Sequence, residues 1–376
     1  MKYQIQIVLL CLLFGCKSYE SGMGINSILI SPDPTVLEAE IFLNKIRPIQ
    51  LNGTDIPFTV YRVIPYTNGY YILDGSKKSI WTSDAKGNTF KFVDSVGEGP
   101  GEFQEIWDLK INPESNEVFM LDRKLSKMLL YSESLEFIKE IPIKREFVSS
   151  ILSFWFLNGD EILFQTSGTS GFKFLKYEIS SNKFEFKVPI DKEFEGLGFG
   201  NDKSMSFLNN QISIIFPLSN KIERYDESLN RKEDLFLDFQ NFKISEAELN
   251  EVANNQNRMF DMIQNDENKK AHSFLIEETD NFYVLSYYLG SFRNGDFLKS
   301  IINKTTGENR TWKSIKIDNT EIDIFLIGKN KRDELIFTVN SEQMERLSDS
   351  QIQKLSKMLK IPIDQNLPLL IFGTQN

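Results

Sequence analysis

Cysteine and histidine are nearly absent from this chain of 376 residues: there are two of the first and one of the second. Both cysteines, Cys11 and Cys16, belong to the extreme N-terminal segment, so the body has no internal disulfide, no thiolate zinc centre and no cysteine nucleophile. The single histidine, His272, excludes a metal site built from several imidazoles and leaves one imidazole for base chemistry. Basic clusters are missing as well. The net charge is −10, and no run of Lys and Arg offers the patch that a nucleic-acid backbone requires. The apolar run from Ile5 to Phe14 covers about ten residues, against the ~20 that a membrane-spanning helix needs.

What the chain does have is core material and short strands. Hydrophobic residues make up 41% of it, with 31 Phe, enough for a core that needs no metal or disulfide. Tyr70-Tyr71-Ile72-Leu73-Asp74 and Val118-Phe119-Met120-Leu121-Asp122 read as the opening strands of two copies of one unit, 48 residues apart. Each closes on Asp, turns, and runs into two further strands. A period of that size built from short strands predicts a propeller blade. Residues 161–166, 211–216, 281–287 and 334–339 read as the opening strands of four more.

The pattern therefore predicts an all-β, six-bladed β-propeller over residues 36–376, with an N-terminal strand from 40–43 or 46–51 closing the last blade. Two helical segments interrupt it. An insertion in a blade is expected at about 239–273, where Ser245 and Glu248 have the spacing of a capping box. A second helix at about 348–360 sets Ile352, Leu355, Met358 and Leu359 on one face.

The N-terminus supplies an address. Met1-Lys2-Tyr3 and the short apolar run form a signal peptide over residues 1–15. Its end, Leu13-Phe14-Gly15-Cys16, resembles the bacterial lipobox, which makes Cys16 the lipidated first residue of the mature protein. Residues 16–35, rich in Ser, Gly, Asn and Pro, read as a flexible tether. The expected partner at this end is the lipid bilayer, and the expected location is the cell envelope, at the outer membrane, facing the periplasm or the surface.

Tyr71-Ile72-Leu73-Asp74, then Gly97-Glu98-Gly99-Pro100-Gly101-Glu102-Phe103, then Val118-Phe119-Met120-Leu121-Asp122 resemble the NHL-like six-bladed β-propeller lipoproteins of Bacteroidota, a family of unknown function. The resemblance covers essentially residues 36–376. It implies the propeller fold and an envelope setting, and it brings no catalytic residues with it.

Gly97 to Gly101 is not a phosphate loop: the terminal Lys-Ser/Thr and a following helix are missing, and Glu98 and Glu102 would repel phosphate. It reads as a tight link between blades that needs positive φ. His272 reads as a packing or solvated residue. Trp107, Asp108 and Trp155 are expected near the channel mouth, where indole faces stack on sugars or anchor peptides. Arg123 and Arg145 follow strand ends and can grip a carboxylate. The function expected from these residues is binding of a glycan, peptide or protein partner, without catalysis or cofactor. The alternative is a calcium-dependent hydrolase or lactonase-type propeller enzyme, its ion held by channel carboxylates drawn from Glu105, Asp108, Asp160, Asp202 and Asp323.

Overall fold

Short strands that are apolar on both faces must be covered on both faces, and stacking several twisted sheets around an axis achieves this. The computed structural model describes residues 26–31, 35–38, 46–53, 59–265, 267, 269–330 and 332–373, and it contains six such sheets. The signal segment, Cys16 and residues 40–43 lie outside the described residues.

From the axis outward, blade 1 is Val60–Pro65, Gly69–Asp74, Ile80–Asp84 and Thr89–Val93; blade 2 is Ile106–Ile111, Val118–Asp122, Lys127–Tyr131 and Phe137–Pro142. Blade 3 is Ile151–Phe156, Glu161–Thr166, Phe172–Glu178 and Lys183–Pro189; blade 4 is Met205–Leu208, Gln211–Ile215, Lys221–Asp226 and Leu235–Asp238. Blade 5 is Ala271–Glu278, Phe282–Leu289, Asp296–Asn303 and Asn309–Ile317, the last paired also with Thr320–Ile322. Blade 6 is Phe325–Lys329, Leu335–Val339, Leu369–Gly373 and, outermost, Ile46–Gln50. The N-terminal strand thus closes the last blade, in a register that runs from Leu369 opposite Gln50 to Gly373 opposite Ile46.

The strands expected to open the blades are in fact the second strands. Five of the six true innermost strands carry register slips against their neighbours, at Val60/Arg62, Ile106/Asp108, Ile151/Ser153, His272/Leu275 and Leu326/Gly328. A bulge breaks the alternation of apolar and polar residues and re-aims side chains, so these strands look like loops in the sequence.

Part of the expected tether is also strand. Ser27–Leu29 pairs in parallel with Leu235–Asp238 of blade 4, and Thr35–Glu38 with Asn309–Ile317 of blade 5. The cause is apolar: Ile28 and Ile30 are buried in the core between blades 4 and 5.

Five helices lie among the described residues: α1 (Arg145–Val148), α2 (Glu246–Asn254), α3 (Gln256–Gln264), α4 (Ser341–Met344) and α5 (Asp349–Leu359). Ser245 caps α2 through a complete capping box with Glu248. The insertion of α2 and α3 links blades 4 and 5 instead of interrupting a blade. The next strand already begins at Ala271, so His272 lies in the innermost strand of blade 5. Between the second and third strands of blade 6, α4 and α5 intervene, and Leu355 and Leu359 of α5 are buried against blades 5 and 6.

The repeated Asp has a structural task. Buried Asp122 accepts hydrogen bonds from the Gln104 amide (2.6 Å) and the Leu125 amide (3.0 Å), tying the turn of blade 2 to the link that enters it. That link turns at Gly101, at φ +75°, where a Cβ would lie 2.9 Å from the Phe137 ring.

Candidate functional site

The bulges concentrate charge at the axis. Arg62 of blade 1 is almost fully buried and ion-pairs with Asp108 of blade 2. Its other nitrogen donates to the Asp202 carbonyl at 2.9 Å and lies 3.5 Å from the Asp202 carboxylate, just before blade 4. Burial opposes the Arg62 charge, but Asp108 and Asp202 hold it more firmly than usual. Burial likewise opposes the Asp202 carboxylate, and Arg62, Lys77 and Lys203 overrule it, keeping the acid below its ordinary range.

Further groups complete this layer. The Tyr61 hydroxyl donates to Asp202 at 2.5 Å, and the Lys77 amine lies 3.2 Å from the same carboxylate. Lys77 sits at φ +57° and reaches the axis between two rings, 4.1 Å from the centroid of Tyr61 and 4.7 Å from that of Trp107. Asp108 also accepts from the amides of Leu109 (2.7 Å) and Phe154 (3.1 Å). Its lone pairs are therefore spent inside the protein, on a backbone and a guanidinium.

On one side of the layer lies an axial cavity of about 110 Å³, lined by the later parts of several innermost strands. Lys110, Lys203, Lys329, Glu277 and Trp155 border it, with Val63, Met205 and Ile327 among its apolar walls. The Lys110 amine sits 3.5 Å from Asp108 and 4.7 Å over the Trp155 ring. Lys203 donates to the Tyr61 carbonyl at 2.9 Å. Burial, then the neighbouring charge of Arg62, pushes the Lys203 amine down to about 7; burial also lowers Lys110, more than Asp108 restores it.

Trp107 and the two arginines meet elsewhere, in an open groove of about 680 Å³ bordered by Glu105, Trp107, Arg123, Lys124, Arg145 and Ser149. The Arg123 guanidinium lies 4.1 Å over the Trp107 ring and donates to the Ser149 carbonyl at 2.9 Å, while the Trp107 indole donates to the Leu152 carbonyl at 2.6 Å. Arg145 of α1 is exposed on the same groove, and Lys124 pairs with Glu105 at 2.7 Å.

The structure thus brings Trp107, Arg123 and Arg145 together, sends Trp155 to the cavity, and places Asp108 in the layer between. Arg62, Lys77, Lys110, Lys203 and Glu277 escaped the sequence reading. For Arg62, Lys110 and Glu277 the signal was a charged residue inside a short apolar run; Lys77 and Lys203 sit in polar turns that carry no such mark. His272 is buried, with Nδ1 2.7 Å from the Ser273 hydroxyl and Nε2 2.7 Å from the Gly290 carbonyl; burial pushes it down to about 4, so it is neutral at pH 7. Among the described residues no group of three His, Cys, Asp or Glu side chains is placed to hold a metal ion. No helix among them is long and apolar enough to cross a membrane.

The fold and its axial charge define a six-bladed β-propeller with a polar layer at its centre. The chain belongs to the DUF5128 family, described as 6-bladed beta-propeller, whose model matches residues 30–338. Among solved structures it is similar to a Bacteroides fragilis protein assigned as exported, at 18% identity over 94% of this chain and 99% of that one, with a TM-score of 0.73. It is also similar to a member of the DUF4221 family from Bacteroides vulgatus, at 10% identity, covering 89% of this chain and 99% of that one, with a TM-score of 0.51. At these identities the likeness shows the fold alone. No curated protein matches the chain.

Proposed function

We propose that this protein is a lipid-anchored, NHL-like propeller of the cell envelope that binds an acidic glycan or peptide without transforming it. The observation that carries the binding reading is Arg123, stacked on Trp107 and tied to Ser149 beside the exposed Arg145. A guanidinium held over an indole and tied to a carbonyl loses little freedom on binding, which favours capture of a carboxylate. In a chain of net charge −10, a groove bordered by Arg123, Lys124 and Arg145 selects for ligands of negative charge. The anchor reading rests on Leu13-Phe14-Gly15-Cys16 alone. It is tested by Cys16→Ala, which should release the protein from the membrane fraction and remove the lipid mass.

Binding is tested by thermal shift with oligogalacturonate, a neutral oligosaccharide of matched length and an acidic peptide, each with calcium or chelator. A true ligand at a hundred times its Kd stabilises the fold by about 2.7 kcal/mol. The expected result is a shift with an acidic probe, indifferent to calcium and lost in Arg123→Ala/Arg145→Ala. Equal shifts with the neutral oligosaccharide would overturn the reading, and a shift from calcium alone would favour the hydrolase alternative.

A further inference from the structure

The axial cavity lies beyond the Arg62 layer from the groove, and its chemistry is independent of the reading just given. We propose that it is a second binding site, for a small zwitterion of amino-acid size that sets a carboxylate against Lys110 and Lys203 and an ammonium against Glu277.

The fold itself accounts for most of the charges near the axis. Arg62 is spent on Asp108 and Asp202, and Asp108 on Arg62 and two backbone amides. Lys329 is held at the cavity edge by the Glu278 carbonyl (2.5 Å) and Asp333 (3.4 Å). Lys110, Lys203 and Glu277 are left over.

An ammonium has three donors. The Lys110 side chain makes no hydrogen bond among the described residues; its amine lies 3.5 Å from Asp108 and 4.7 Å over the Trp155 ring. Lys203 uses one donor, on Tyr61. Glu277 borders the cavity and its charge is felt by Arg62, Lys110 and Lys203. Yet among the described residues its carboxylate has no hydrogen bond and no ion pair within 4.0 Å. All three are half-buried beside the cavity, so their unspent hydrogen-bonding capacity is open to whatever occupies it.

Complementarity of sign then narrows the ligand. A simple anion drawn to the lysines would meet Glu277, and a simple amine drawn to Glu277 would meet the lysines and Arg62. A molecule carrying both charges satisfies both walls, and the cavity of about 110 Å³ holds one of modest size. The apolar walls and the Trp155 ring receive its side chain. Seating a carboxylate beside Lys203 also restores the charge that burial suppresses there, so binding takes up protons near neutral pH.

The test is titration calorimetry of the purified protein at pH 7 with the free amino acids, each compared with its des-amino acid and its decarboxylated amine. At least one amino acid should bind ten times more tightly than either truncated partner. Glu277→Gln should weaken the amino acid tenfold or more and leave the des-amino acid unchanged or improved; Lys110→Met should weaken both. Arg123→Ala should affect neither, which separates this site from the groove. The wild-type series decides the matter even if a variant misfolds. Absence of any amino-acid binding, or a des-amino acid that binds equally well, overturns the proposal. So does a folded Glu277→Gln that binds the amino acid unchanged.

Discussion

Two buried ion clusters in this propeller look alike, yet their lysines fare differently. At the seam between blades 3 and 4, Lys173 and Glu223 are both fully buried, 2.5 Å apart. Lys173 also reaches Asp191 at 3.0 Å, the Tyr225 hydroxyl donates to Glu223 at 2.6 Å, and Lys221 closes on Asp191 at 3.2 Å. Burial works against the Asp191 carboxylate, yet its hydrogen bond from Lys173 holds it well below the usual range. At the axis the outcome differs: Lys203 and Lys110 are pushed towards their neutral forms. Burial alone therefore does not mark a functional charge. What separates the two clusters is how many partners each amine has: Lys173 reaches two carboxylates, while Lys203 donates to one carbonyl.

The sharpest way to break this comparison is to delete one lysine from each cluster. Lys173→Met strands the buried Glu223 without its nearest partner, and breaking such a pair costs about 3–5 kcal/mol. Lys203→Met removes an amine whose charge burial already opposes, so at pH 7 it should leave stability unchanged or raised rather than lowered. Urea unfolding of both variants checks this. Equal losses would mean that the axial cluster holds the fold just as the seam does.

The pH dependence sharpens the same contrast. Lys203 has a lowered pKa, about 7, in the folded state, against about 10.4 in an unfolded chain. Between these values the unfolded state binds the proton that the folded state refuses, so stability rises with pH across that window and levels off below about 7. From pH 7 to 9 this one group should add about 2–3 kcal/mol to the wild type relative to Lys203→Met. A parallel pH response in the two proteins would show that Lys203 is charged in the fold.

How much of this could be read in advance followed the regularity of the pattern. Second strands such as Tyr70–Asp74 and Val118–Asp122 are apolar on both faces, and they gave away the blade repeat. The capping box of α2 was legible because it is a local signal that the tertiary structure leaves intact, and the closure of blade 6 because a ring of blades must pair its two ends. The innermost strands were not, because their bulges insert residues such as Tyr61, Trp107 and Ile327 that break the period. Those bulges also carry the site. Trp107, Arg123 and Arg145 were found as residue types, while the pairing of Arg62 with Asp108 joins positions on two blades that no spacing rule relates. Ile28 and Ile30 were not legible because Ile28-Leu29-Ile30 is only three apolar residues long inside a polar stretch.

A third buried group tests whether lack of a counter-charge is enough to lower stability in acid. His272 makes hydrogen bonds to neutral partners and titrates at about 4, against about 6.5 when unfolded. Its folded pKa is depressed, so the fold loses stability as pH falls from about 6.5 towards 4. Between pH 6.5 and 5 the loss should be about 2 kcal/mol greater in the wild type than in His272→Gln, measured by urea midpoints at both pH values.

The smallest effect belongs to a site outside both clusters, where no charge is buried. Ser348 caps α5 by accepting from the Gln351 amide, and the Gln351 side-chain oxygen accepts from the Ser348 amide at 2.9 Å while its side-chain nitrogen donates to the Ile317 carbonyl at 2.9 Å. Ser348→Ala removes one cap bond and should cost about 1 kcal/mol. It should leave binding at the groove and at the axial cavity untouched, since α5 packs against blades 5 and 6 on apolar side chains. A loss well above that figure would mean that the Gln351 bridge to blade 5 fails together with the cap. The helix would then be part of what keeps blade 6 closed, and changes of stability in blade 6 could no longer be read separately from changes at the axis.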